Sequence, residues 1–106
     1  MQELLFGRKT ITAESDRTHT FTYWLITRQI TAGQFTFEDY GVRVSTANGE
    51  SACLPSLTHS YTLIHHLLTL LLENAVTPIG LYDVAEDWAK ENHLPQPRLQ
   101  QVADMI

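Results

Sequence analysis

The hydrophobic period of this chain changes once, near Pro55, and that change restricts the folds open to it. Before it, short runs rich in Thr, Phe, Tyr, Ile and Val alternate with turn residues, the pattern of strands. After it, Ile64, Leu67, Leu68, Leu71, Leu72 and Ala75 recur at i, i+3, i+4 and i+7, the pattern of a helix. Strands followed by helices, without alternation of the two, predict an α+β domain. The expected architecture is a four-stranded antiparallel meander followed by a C-terminal helical hairpin, with a short amphipathic tail helix.

The strands are expected near Glu3–Thr12, His19–Thr31, Gln34–Thr46 and Glu50–Leu54. In the second run Phe21, Tyr23 and Leu25 share one face and Trp24, Ile26 and Ile30 the other, so this strand should lie inside the sheet. In the third run the apolar residues change phase, from Phe35 and Phe37 to Tyr40, Val42 and Val44, which predicts a bulge or bend near Asp39. Asn48-Gly49 marks a hairpin. A two-residue loop would oppose Val44 to Cys53 and split the apolar face. A three-residue loop with Gly49 in the left-handed region pairs Val44 with Ala52 and Val42 with Leu54, and is preferred.

The first helix carries an apolar stripe broadened by Leu63 and Leu70, with Thr62, His65, Thr69 and Glu73 on its wet side. Thr77 before Pro78 predicts the N-cap and first position of a second helix running to about Asn92. That helix should turn Leu81, Val84, Ala85 and Trp88 inward and Asp83, Glu86, Asp87 and Lys90 outward. Residues 1–92 are read as one domain, and 93–106 as a tail set off by the prolines of "LPQP". Leu99, Val102, Ala103 and Ile106 fall at helical spacing, but fewer than about 12 residues make no stable helix alone, so the tail needs a docking surface.

The 43% hydrophobic and 18% charged content predicts a packed core. Seven Lys and Arg against twelve Asp and Glu give a formal charge of −5, which argues against nucleic-acid binding. The longest strongly apolar stretch, Leu63 to Leu72, is far short of the ~20 residues of a membrane span. The start "MQELLFGRKT" lacks the order of a secretory signal, and the single Cys53 suits a reducing compartment, so a cytoplasmic location is expected.

No cofactor or metal is expected. His65 and His66 are neighbours that point about 100° apart on a helix, with no ligand three or four positions away. Cys53 has no basic neighbour in sequence and reads as core. Asp83, Glu86 and Asp87 share a helix face, most simply a solvated one and otherwise an acidic patch for a partner. With Leu99, Val102 and Ile106 they form the candidate interaction surface, for a protein partner or a second copy bound through the tail. The alternative is an enzyme or ligand binder whose site draws on Asp39, Tyr40, His65 and Asp83 only in three dimensions.

"TYWLI" at Thr22–Ile26, "YGVRV" at Tyr40–Val44 and "TPIGLYDVAEDW" at Thr77–Trp88 resemble a small uncharacterised domain family of Clostridia-like Firmicutes. The resemblance covers about residues 20–91. It implies a bacterial cytoplasmic protein and supplies no catalytic residues; the absence of a catalytic set, the acidic outer face of the second helix and the amphipathic tail point to a non-catalytic interaction or regulatory module. Members often carry a histidine where this chain has Gly80.

Overall fold

A computed structural model describes residues 1–97. Its elements are β1 (Gln2–Thr12), β2 (Thr18–Ala32), β3 (Phe35–Thr46), β4 (Ser51–Thr58), α1 (Tyr61–Glu73) and α2 (Leu81–Glu91). The strands form one antiparallel sheet in the order β1-β2-β3-β4. The meander and the two helices that follow it are those the change of period predicts.

The hydrophobic pattern sets the register. Val44 pairs with Ala52 and Val42 with Leu54, while Gly49 takes a φ of +96° in a three-residue loop closed by Thr46 and Glu50. One apolar face is thereby kept whole. Phe21, Tyr23, Leu25, Val42, Val44 and Leu54 meet Ile64, Leu67, Leu68 and Leu71 of α1 and Leu81, Ala85 and Trp88 of α2 in a single core. The Ser60 hydroxyl caps α1 by accepting from the Leu63 amide at 3.2 Å, satisfying one of the orphan amides of its first turn. The Trp88 indole N–H is buried in this core without an acceptor among the described residues, a cost of about 1–3 kcal/mol that the packing of the ring must offset.

Three features differ from the sequence reading. First, the β2–β3 ladder runs unbroken through Arg28 and Asp39, so β3 keeps its alternation. Phe35 and Phe37 lie on the face away from the helices, where Phe35 is 72% exposed. The dislocation falls instead in the β3–β4 ladder: Val42 pairs with Leu54 but Tyr40 with Thr58. β4 therefore extends past Leu54, and Pro55, which cannot donate to a ladder, sits in the irregular stretch of an edge strand. Second, β1 carries a bulge at Phe6 that its sequence does not announce. Third, Thr77 caps a tight turn, with its hydroxyl and carbonyl both accepting from the Gly80 amide, and α2 begins only at Leu81. The Gly80→Thr77 and Leu81→Pro78 bonds span three residues, so the chain is wound tighter there than an α-helix.

Gly41 faces Ile26 on the side of the sheet away from the helices, and the β4 backbone folds over it. A Cβ at Gly41 would stand 2.2 Å from the Leu54 carbonyl oxygen and 2.3 Å from the Pro55 carbonyl carbon. Ile26 is fully buried although it lies outside the main core, so this face has a small core of its own.

Gly41→Ala is predicted to lower stability by about 3 kcal/mol or more, because backbone must move to admit the methyl; urea denaturation measures it, and a loss below ~1 kcal/mol would contradict the packing. Tyr23 donates to the Val76 carbonyl at 2.9 Å, and burial pushes its phenol up from 10.0 to about 12. The folded pKa is the higher one, so the unfolded chain ionises first and this stabilisation is lost as pH climbs from about 10 to 12. Tyr23→Phe should cost about 1–2 kcal/mol at pH 8. The gap between the two proteins should close as pH passes 10 and approaches 12; a constant gap would contradict the account.

Candidate functional site

The cleft with the clearest character lies where the end of the sheet meets the connection between the helices. The end of β1 supplies Ile11, the start of β2 His19 and Phe21, the β3–β4 turn Thr46 to Asn48, and the tight turn before α2 Pro78 and Ile79. The cavity is about 520 Å³. Its register explains its chemistry: Ile11 pairs with His19 and Phe21 with Thr46, so these side chains share the helix-facing side of the sheet just beyond the reach of the helices. Phe21 and Pro78 are buried, and threonines, Asn48 and Glu50 form a polar rim. An apolar floor with a few polar groups around it is the usual make-up of a binding cleft.

Ile79 is 87% exposed. Single exposed apolar residues are ordinary, but this one borders a cleft that already contains exposed Ile11. It also stands four residues before Asp83, at the head of the outward stripe of α2. Asp83 and Asp87 are exposed there, whereas Glu86 is half-buried, accepting from the Gln96 side-chain amide at 2.7 Å and lying 3.7 Å from Lys90. The acidic patch inferred from sequence is thus two solvated carboxylates and one that holds the start of the tail. Leu99, Val102 and Ile106 lie outside the described residues.

The start of the tail has a definite course. His93 takes a φ of +56°, and the Leu94 amide donates to the Ala89 carbonyl at 2.8 Å, ending α2 and reversing the chain. Gln96 then donates to Glu86 and, at 2.9 Å, to the Tyr82 hydroxyl. Residues 94–96 therefore run back along α2 toward its N-terminus, where Ile79 stands.

Asp39, Tyr40, His65 and Asp83 are not assembled into one site. Strand alternation puts Asp39 and Tyr40 on opposite faces of the sheet. Tyr40 reaches His65 only through Tyr61, with ring centroids 5.8 and 6.0 Å apart, and His65 also meets the edge of Phe6 at 5.4 Å. Asp39 is almost fully buried and bonded to half-exposed Arg28, Nε to Oδ2 at 3.3 Å, with the His59 Nε2 3.7 Å from its other oxygen. His59 in turn lies against Phe37 at 4.6 Å. The sequence reading singled out neither Arg28 nor His59; the β2–β3 register brings Arg28 to Asp39, and the extension of β4 brings His59.

Cys53 also departs from the sequence reading. It is half-buried on the face away from the helices, and the register sets it directly across from Arg43, which is paired with Glu3. Burial still pushes the thiol up, Arg43 lowers it and Glu3 raises it again, so Cys53 is a protonated thiol near pH 7 and a poor nucleophile. Among the described residues no three His, Cys, Asp or Glu side chains are grouped to hold a metal ion, and no helix is long and apolar enough to cross a membrane.

No curated protein and no solved structure matches this chain. A family model does, over residues 2–91, further toward the N-terminus than the motifs at Thr22–Trp88 indicate. It spans all six elements and stops at the end of α2, short of the tail. The chain belongs to the family of unknown function DUF6514.

Proposed function

We propose that this chain is a non-catalytic interaction module, bacterial and cytoplasmic, that binds a basic amphipathic segment of a partner protein at the cleft beside Ile79. The observation that carries the reading is the pairing of an open apolar cleft with a solvated acidic stripe that begins next to it. Apolar side chains of the partner would enter between Phe21, Ile11 and Ile79, and its Lys or Arg would lie along Asp83 and Asp87. The formal charge of −5 favours the approach of such a partner, and salt would weaken it. The resemblance to a family of Clostridia-like Firmicutes and the single cysteine support the bacterial and cytoplasmic parts of the reading.

The size of the cleft favours a second reading, a small-molecule site, because about 520 Å³ falls within the range of roughly 300–1,000 Å³ that ligand pockets occupy. Titration tells the two apart. Under the first reading, a synthetic Leu/Lys helical peptide shifts the amide resonances of Ile11, His19 and Ile79, and its Leu/Glu counterpart does not. Asp83→Asn with Asp87→Asn should weaken binding about 3- to 10-fold and flatten its salt dependence, since each surface pairing contributes about 0.2–1 kcal/mol. Equal binding of both peptides, or shifts located elsewhere, would refute it.

A further inference from the structure

We infer that two copies of this chain associate through the projecting end of the sheet, the β2–β3 arm of one packed face to face on the arm of the other. This association does not depend on what the cleft binds.

β1 follows β2 only as far as the Gln2–Thr27 pair, and β4 follows β3 only as far as Thr58–Tyr40. Beyond them β2 and β3 continue alone from the Arg28–Asp39 rung to the Ala32–Phe35 rung, closed by the two-residue turn Gly33-Gln34 with Gly33 at a φ of +63°. This arm is about 17 Å long and two strands wide. Toward the helix side it carries Gln29, Thr31, Thr36 and Glu38, and toward the other side Ile30, Ala32, Phe35 and Phe37, with Phe35 72% exposed. A two-stranded ribbon is marginal in water unless something covers its apolar face, and α1 and α2 both pack on the opposite side of the sheet.

Charge and shape select a second copy as the cover. Arg28 is bonded to Asp39 of its own rung, and no rung beyond it carries a titratable group on this face, so a charged partner finds nothing to pair with. The face matches itself instead. A two-fold axis running along the arm sets β2 of one copy over β3 of the other, with Ala32 over the other copy's Phe35 and Ile30 over its Phe37, small against large at the tip. Stacked sheets lie about 10 Å apart, the space these side chains fill. A two-fold across the arm would set Phe35 over Phe37, bulky on bulky, or bring Arg28 onto the apolar tip. The axis along the arm also sets the β4 backbone raised over Gly41 above the other copy's β1–β2 side, where Leu5 is 49% exposed. The arm alone offers roughly 170 Å² per copy, and the contact with Leu5 included stays under the ~800 Å² per partner of a standard interface, so the dimer is weak and reversible. Both pairs of helices face outward in it. Phe21 of the cleft and Ala32 of the arm are separated by roughly 35 Å of β2, so the dimer leaves two clefts open.

Sedimentation equilibrium of the full chain, with nuclear Overhauser contacts between differently labelled copies, tests the association. The mass is expected to rise from monomer toward dimer between about 10 µM and 1 mM, with intermolecular cross-peaks from the Ala32 methyl to the Phe35 ring and from the Ile30 methyls to the Phe37 ring. Ala32→Glu and Phe35→Lys should each weaken self-association about 10-fold or more. An equimolar mixture of the two variants should associate about 5-fold more tightly than either alone, because the new carboxylate of one copy then faces the new ammonium of the other while the second tip contact stays Phe on Ala. A chain that is monomeric at 1 mM, a dimer that either variant leaves at wild-type strength, intermolecular contacts through Ile11 or Ile79, or a mixture no tighter than its components would overturn the inference. Both variants must keep the wild-type amide dispersion; should one misfold, the cross-peaks between unmodified copies decide alone.

Discussion

The hydrogen bond from the Tyr23 hydroxyl to the Val76 carbonyl joins the centre of the sheet to the connection between the helices. Both partners are buried, so neither can exchange the bond for water, and leaving either unmade would cost about 1–3 kcal/mol. Much depends on that fixed point. Val76 follows a reversal in which Ala75, with a φ of +48°, ends α1 and the Val76 amide donates to the Leu71 carbonyl. The tight turn at 78–80 comes directly after it, and that turn sets Ile79 out over the end of the sheet. The position of the cleft is therefore a consequence of where Tyr23 holds the chain.

The two faces of the sheet are stabilised differently. Toward the helices, the sheet carries one continuous apolar surface matched to α1 and α2. On the other side neither α1 nor α2 lies, and burial among the described residues is achieved locally. β4 folds its own backbone over Gly41, Ile26 is buried as a result, and Asp39 is enclosed and bonded to Arg28 across the ladder. A buried carboxylate with a half-exposed arginine partner adds little net stability, since desolvation offsets most of the attraction. Its effect is on register, because only the pairing of Arg28 with Asp39 brings those groups together.

Periodicity carried the fold. The three-residue loop at Asn48-Gly49 was legible because the alternative would have split Val44, Val42, Ala52 and Leu54 between two faces. The irregularity near Asp39 was half legible. The phase change at Phe37 is real, but the chain resolves it by using both faces of β3 and placing the dislocation in β4, where Gly41 leaves room for it. A count of apolar residues along one strand does not show whether its far face is covered. The site was less legible: Asp83, Glu86 and Asp87 could be found by helical spacing, but the cleft joins Ile11, Phe21, Thr46 and Ile79 from four separated segments. The link from Arg43 to Cys53 is likewise a product of register.

We propose that this DUF6514 domain meets its ligand at the end of the sheet, beside the connection that Tyr23 anchors, and not on the side that neither α1 nor α2 covers. Both surfaces present apolar groups: Ile11 and Ile79 at the cleft, Leu5 and Phe35 on the other side. A crystal structure of the domain with a bound Leu/Lys helical peptide decides between them most directly. The account predicts peptide leucines seated between Phe21, Pro78 and Ile79, with lysines toward Asp83 and Asp87. A peptide lying across Leu5, Trp24 and Phe37, with the cleft unoccupied, would contradict it.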